Sequence, residues 1–287
     1  MEGNLDKSKR TKIKKKIKKL IGKKNASVSS IASHKQLICA PDLDPNKHER
    51  GIVPITHIES ENDHLTLKLF QHFIELRTFR TEVDLDFVAE LLENGLDINK
   101  RDIYGQSILH ESVRVCREEV TVFLIKNDAD IFCNDNYNFS ILHTAAGNNR
   151  HDIIDFIFEE MEKQDSYKYK KYLSLETHSG QNCMHFAAKY DHFEMIAKIH
   201  ERDPDLLESK DKHGRTPLML AAGLDRHEAA KKLLKLGADP AEKNLKGEIC
   251  LTEMIEEMPD VAVKALDCFT QIYRTQRKQH FRLQKFF

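Results

Sequence analysis

Apolar and polar positions recur along the chain in a pattern that predicts a series of short helices. A motif with glycine or asparagine, then a hydroxyl or amide side chain, then leucine or methionine begins at residues 105, 138, 180 and 214. A weaker copy begins at residue 247, so successive starts lie 33, 42, 34 and 33 residues apart. Repeats of this length indicate stacked supersecondary units.

A second apolar segment follows each motif at a constant distance. In the unit that starts at Gly214, the side chains 16, 19 and 20 residues later are Ala230, Leu233 and Leu234. Apolar residues at these spacings lie on one face of a helix. The same pattern one repeat before Gly105 predicts a degenerate first unit, with its first helix over Leu65–Phe79.

The clearest copy, from Gly214-Arg-Thr-Pro-Leu to Gly237-Ala-Asp239, resembles the ankyrin repeat. That family has the pattern G-x-T-P-L-H-x-A-A followed by L-L-x-x-G-A-D, and this copy departs from it at Met219, where histidine is usual. The resemblance covers about residues 65–268. It implies an all-α solenoid of five to six helix-turn-helix units, in which a repeated imidazole joins neighbouring turns by hydrogen bonds. The structural repeat residues are His110, His143, His185, Gly214, Thr216, Pro217 and Gly237.

These units define the expected domain organisation. We expect an ankyrin-repeat domain over 61–270, with units near 65–98, 102–134, 135–176, 177–210, 211–243 and 244–270. The 42-residue interval contains about nine extra residues, within 159–172. They predict either a longer second helix with a solvated turn, or a loop that contacts a partner or is phosphorylated on Tyr167, Tyr169 or Tyr172.

Charge separates the two ends of the chain from its body. The formal net charge is −1, yet residues 1–24 carry eleven bases and two acids, and residues 274–287 carry five bases and no acid. Residues 25–273 therefore carry −15. We expect a basic amphipathic arm at 1–24, a flexible linker at 25–60, an acidic repeat body and a basic tail at 271–287.

The arm has an apolar stripe between its lysines. Ile13, Ile17, Leu20 and Ile21 recur at the spacing of one helical face. Such a segment is typical of binding to an anionic membrane, to calmodulin or to a nuclear import receptor. The plainer interpretation is a disordered, solubilising or RNA-binding arm. The candidate residues are Lys12, Ile13, Lys14, Lys15, Lys16, Ile17, Lys18, Lys19, Leu20 and Ile21.

The segment 258–287 resembles the linker that follows the ankyrin repeats in insect ankyrin-type transient receptor potential channels of the pyrexia-like branch. It combines Met258-Pro-Asp-Val-Ala-Val-Lys-Ala-Leu-Asp267 with an Arg277-Lys-Gln-His-Phe run. No apolar run approaches the roughly 18–20 residues that a membrane-spanning helix requires. The resemblance implies a truncated product, a gene fragment or a soluble relative that pairs with channel subunits.

Catalytic chemistry is not indicated. The chain has no nucleophile elbow, phosphate-binding loop, dinucleotide fingerprint or zinc-binding helix motif. Its six cysteines are scattered, which indicates reduced thiols in a cytoplasmic protein. Cys183 and Cys250, where the repeat usually has proline, are expected to pack in the core. We predict no enzyme activity, no cofactor, no metal site and no specific nucleic-acid partner.

Function is therefore expected on the concave face of the stack, formed by hairpin tips and first helices. The leading hypothesis is a protein–protein interaction module whose partner is unidentified. The alternatives are the N-terminal cytosolic module, or a truncated form, of an ankyrin-type transient receptor potential channel, and an inhibitor of a transcription factor that binds a basic nuclear-localisation segment. The chain is expected in the cytoplasm, with the basic arm as a route to the membrane periphery or to the nucleus. The candidate contacts, chosen by their offset in the repeat, are Tyr104, Glu111, Arg114, Tyr137, Asn148, Phe186, Lys189, Tyr190 and His213.

Overall fold

The computed structural model describes residues 61–79 and 83–266. The basic arm at 1–24, the linker at 25–60 and the tail at 271–287 lie outside these residues. The described part is built from helices, without a named strand, and these helices stack as repeats. The predicted all-α repeat solenoid is confirmed. None of these helices combines the length and the apolarity that crossing a bilayer requires.

The helices alternate between first and second members of a repeat. Repeat 1 contains α1 (Glu61–Phe79) and α2 (Leu85–Glu93), and repeat 2 contains α3 (Ile108–Val115) and α4 (Glu118–Lys126). Repeat 3 contains α5 (Ile141–Gly147) and α6 (Ile154–Gln164), followed by an extra helix, α7 (Ser166–Leu173). Repeat 4 contains α8 (Cys183–Lys189), α9 (Phe193–Arg202) and a 3-10 turn at Pro204–Glu208. Repeat 5 contains α10 (Pro217–Gly223) and α11 (His227–Leu236), and repeat 6 contains α12 (Cys250–Glu257) and helical residues 259–266.

Short polar side chains start the first helices. The Ser140 hydroxyl accepts a hydrogen bond from the His143 amide at 3.3 Å, and the Thr216 hydroxyl accepts one from the Met219 amide at 3.3 Å. Each satisfies an amide that has no partner inside the helix. Gly237 ends α11 in the left-handed region, at φ 105°, which glycine adopts without steric cost.

The core runs continuously from α1 to residue 265. Paired small side chains at the ends of successive first helices are fully buried and let neighbouring repeats approach closely. They are Ala145, Ala146, Ala187, Ala188, Ala221 and Ala222. Because each repeat buries its apolar face against its neighbours, stability belongs to the stack rather than to single units.

A buried histidine in each of three first helices bonds to the next repeat. The Nε2 atoms of His110, His143 and His185 lie 3.2, 3.1 and 3.1 Å from the carbonyls of Phe139, Gln181 and Arg215. A carbonyl only accepts, so Nε2 carries the proton. Nδ1 accepts from the backbone amide of the capping residue, at 3.3 Å in repeat 2 and 3.1 Å in repeat 3. The neutral tautomer therefore satisfies both nitrogens, and we call this contact the histidine bond.

Two further sets of hydrogen bonds join the repeats. At the hairpin tips, the amides of Asn136, His178, Lys212 and Leu245 donate to the preceding tip, at 2.9 to 3.2 Å. Where the second helices begin, Arg150, His192 and Arg226 donate to carbonyls at the end of the preceding first helix, at 2.6, 2.9 and 2.9 Å. The tips pack so closely that a Cβ on Gly214 would lie 2.8 Å from the Leu245 nitrogen.

The junction of repeats 5 and 6 lacks the histidine bond. Met219 stands where the first helices of repeats 2 to 4 have histidine. Its side chain has no hydrogen-bond donor for the Glu248 carbonyl, which corresponds to the three carbonyls that accept the histidine bonds. Leu245 still bonds to the His213 carbonyl at 3.0 Å. Repeat 6 is thus joined to repeat 5 without a histidine bond, by the tip bond and by Asp260, which lies 3.3 Å from His227 Nδ1 and 3.8 Å from the Lys231 ammonium.

The histidine bonds predict that the stack loses stability in mild acid. Burial lowers the pKa of His110 from 6.5 to about 3, and those of His143 and His185 to about 4. The pKa of each histidine is lower in the folded state than in the unfolded state. Between these two pKa values the unfolded state binds more protons, so the stability falls as the pH decreases through this range. We expect a loss of about 2 kcal/mol per histidine between pH 7.5 and 5.

Urea unfolding at several pH values measures this loss. The His143→Gln variant keeps a donor but cannot titrate, so it should lose about a third of the pH dependence. Equal free energies of unfolding at pH 7.5 and 5 in the wild-type protein would show that the three imidazoles are not held neutral.

Candidate protein-binding face

The candidate face combines the hairpin tips with the adjacent first helices. Tyr104, Tyr137 and His213 lie on the tips of repeats 2, 3 and 5, and the carbonyl of each accepts the amide of the following tip. Arg114 lies near the end of α3, and Asn148, Lys189 and Tyr190 lie at the ends of α5 and α8. The structure thus brings seven of the nine predicted contacts to the tips or to the ends of first helices.

Two predicted contacts are not exposed. Phe186 is 0% exposed and Glu111 is 1% exposed, so the expectation that both are free surface side chains is wrong. Phe186 packs edge-on against the rings of Phe139 and His143, with centroids 5.0 and 5.4 Å apart. The aromatic side chain of repeat 3 therefore covers the position that would otherwise face a partner.

Glu111 is covered by a polar network of repeat 2. Its carboxylate pairs with the Arg114 guanidinium, which also donates to the Gln106 side chain at 3.2 Å. Gln106 in turn donates to Asp135 of the next repeat at 3.4 Å. A charge pair this deeply buried is costly unless hydrogen bonds surround it. Glu111 and Arg114 therefore belong to a buried network that reaches Asp135 of repeat 3 through Gln106, and they do not offer free charges.

Exposed side chains remain at both ends of the row of tips. Ile103 is 52% exposed and Leu245 is 78% exposed, although both are large and apolar. Between them, the Tyr137 ring meets the imidazole of His178 at 6.2 Å, and the Lys189 ammonium lies 5.4 Å from the Tyr190 ring. The face therefore offers apolar, aromatic and cationic groups.

A groove of about 530 Å³ lies over repeats 4 to 6. Gly223 occupies the place that Lys189 holds one repeat earlier, 34 residues before, and both residues line the groove. Leu220 and Leu224 form its apolar wall, while Glu248 and Glu253 line the side of repeat 6. These four residues were missed by the sequence analysis, since repeat 3 also has glycine at this position, at Gly147, and Gly223 alone gives no distinct signal.

Comparison with known families decides the assignment. A family model described as "Ankyrin repeats (3 copies)" matches residues 80–168 and 167–244, more than half of the chain. This chain is an ankyrin-repeat protein. A comparison with curated proteins finds no match. The family match ends at residue 244, so it does not bear on the channel-like segment at 258–287.

The ankyrin-repeat chain carries its insertion as an extra helix. Asp165 alone separates α6 from α7, and its carboxylate accepts from the Lys168 amide at 2.8 Å as a cap. Tyr169 and Tyr172 are buried, whereas Tyr167 is 83% exposed. The predicted solvated turn or loop with three accessible tyrosines is therefore wrong. Two of the tyrosines anchor the helix and only Tyr167 faces solvent.

Buried thiols support the core of the same repeats. Cys183 lies at the first position of α8, and its sulfur donates to the Leu173 carbonyl of the insertion helix at 3.6 Å. Burial raises the pKa of Cys183 to about 12, so the thiolate nucleophile is disfavoured. Within residues 61–79 and 83–266, no three His, Cys, Asp or Glu side chains are grouped to hold a metal ion.

The anchored insertion predicts a clear difference between two tyrosines. The Tyr172 hydroxyl donates to the Cys133 carbonyl, and its ring packs edge-on against Phe132 at 5.5 Å. Tyr172→Phe should leave that carbonyl unsatisfied and lower the free energy of unfolding by about 1–3 kcal/mol. Tyr167→Phe is the matched control and should change it by less than about 0.5 kcal/mol. Equal effects in urea unfolding would contradict the anchoring role.

Proposed function

We propose that this ankyrin-repeat chain is a non-catalytic protein-binding module that holds its partner on the candidate face. The observation that carries the proposal is the row of hairpin tips. Five consecutive tips, those of repeats 2 to 6, are joined backbone to backbone by four bonds of 2.9 to 3.2 Å. The tyrosine side chains on this face are partly buried rather than enclosed, so a partner can reach their accessible parts.

The geometry favours binding for a physical reason. A surface that is already ordered loses little conformational entropy when a partner binds, and this raises affinity. Tyrosine supplies a large contact area with few rotatable bonds and dominates many interfaces. Tyr104, Tyr137 and Tyr190 are each half-buried against their neighbours, and each keeps part of its ring accessible.

The test compares two sets of tyrosine substitutions in affinity purification from cells. The triple variant Tyr104→Ala, Tyr137→Ala and Tyr190→Ala should lose the proteins that the wild-type chain retains, because each anchor ring contributes about 1–2 kcal/mol or more. Tyr167→Ala is the matched control, since it removes an exposed tyrosine that lies outside the face. If the triple variant retained every partner, the proposed face would be wrong.

Two narrower functions are also proposed. The resemblance of 258–287 to a channel linker supports a cytosolic module that pairs with channel subunits at the membrane. Continuation of the transcript past codon 287 into apolar spans would support this, and a stop codon there would count against it. The charge of −15 on residues 25–273 supports binding of a basic nuclear-localisation segment, as in an inhibitor of transcription factors. That interaction should weaken at high ionic strength.

We also propose a role for the basic arm. Its apolar stripe and lysines support recruitment to an anionic membrane, to calmodulin or to an import receptor, with the chain otherwise in the cytoplasm. Fusion of residues 1–24 to a fluorescent protein distinguishes these destinations, and a diffuse signal would contradict all three.

A further inference from the structure

The outer end of repeat 6 exposes an apolar face. Ile255 and Val263 are each more than half exposed, and Leu266 is nearly so. In repeats 2 to 5 the first and second helices pack against those of the next repeat and contribute to the continuous core. The end unit of a stack needs a polar outer surface or a covering segment. This apolar face therefore indicates that something covers repeat 6.

The same repeat carries a group of acidic side chains, and one of them, Glu253, is also acted on by the cation of Arg215 in repeat 5. Glu253, Glu256 and Glu257 are exposed, and among the described residues none of them forms an ion pair. Glu253 reaches across to repeat 5, where its carboxylate oxygen lies 2.6 Å from the place of a Cβ on Gly223. Partial burial and the neighbouring Glu248 raise the pKa of Glu253. A basic group in this position would relieve the repulsion.

The chain that directly follows repeat 6 has the complementary chemistry. Residues 274–287 contain no acid and five bases, at Arg274, Arg277, Lys278, Arg282 and Lys285. Residues 267–287 also contain apolar side chains, at Phe269, Ile272, Tyr273, Phe281, Leu283, Phe286 and Phe287. A segment tethered this close to a complementary surface has an effective concentration on the order of millimolar.

We propose that residues 267–287 cover repeat 6, with apolar side chains on Ile255, Val263 and Leu266 and basic side chains against Glu253, Glu256 and Glu257. The segment is long enough, since extended chain spans about 3.3–3.6 Å per residue. A second copy of the chain is a poorer occupant, because it would bring the same acidic face onto itself.

Carbodiimide cross-linking of the full-length protein tests this contact. The reagent couples a carboxylate to an amine that touches it, and the products are located by mass spectrometry. We expect links within one chain from Lys278 or Lys285 to Glu253, Glu256 or Glu257. Lys210 and Glu242, 2.7 Å apart, provide the internal control. At about 1 M salt, where the Debye length is about 3 Å, the tail links should decrease.

Matched charge variants complete the test. Glu253→Gln with Glu257→Gln should lower the yield of tail links at least fivefold and speed trypsin cleavage after Arg277. Glu118→Gln with Glu119→Gln removes the same charge from exposed positions of repeat 2 and should change neither. Tail links found only in cross-linked dimers would overturn the proposal. So would their absence while Lys210 and Glu242 are linked. Neither result depends on whether a partner binds the tips.

Discussion

The hydrogen bond from a buried histidine to the carbonyl of the next repeat is the contact on which the rest of the stack depends. It joins three features in one place: the cap that starts a first helix, the imidazole three residues later, and the turn that begins the following repeat. His143 makes this connection between repeats 3 and 4 over 38 residues of sequence. Because neither nitrogen reaches water, the bond also requires a neutral ring.

At three of the four junctions that have a tip bond, that connection supports the spacing of the tips. Once the first helices are held at one separation, the hairpins that precede them lie side by side, and their backbone amides meet the carbonyls of the preceding tips. Glycine fits closely where they meet, as at Gly180, whose φ is +76° and where a Cβ would lie 2.7 Å from the Lys212 nitrogen, whereas repeat 3 has Asn138 at this position with φ 64°. The side chains between these bonds are then free to differ from repeat to repeat, and so to determine the partner.

Periodicity in the sequence was sufficient to predict the helix pairs, their caps and the place of the candidate face. It could not predict which side chains on that face are covered, since this depends on the neighbouring repeat. Phe186 is buried because repeat 3 has Phe139 beside it, and Glu111 is buried because Arg114 and Gln106 surround it. A local sequence pattern also could not predict the structure of the insertion, because Tyr172 bonds to a carbonyl 39 residues away.

The central claim is that histidine bonds hold the tips in a row, and hydrogen exchange at the four tip amides tests it most directly. In the wild-type chain, Leu245 should exchange faster than Asn136, His178 and Lys212, because Met219 provides no histidine bond at its junction. Met219→His should slow Leu245 about fivefold, the value of one hydrogen bond of about 1 kcal/mol, and leave the other three unchanged. If Leu245 exchanged equally in both proteins, or if all four amides exchanged like free loops, the account would be contradicted.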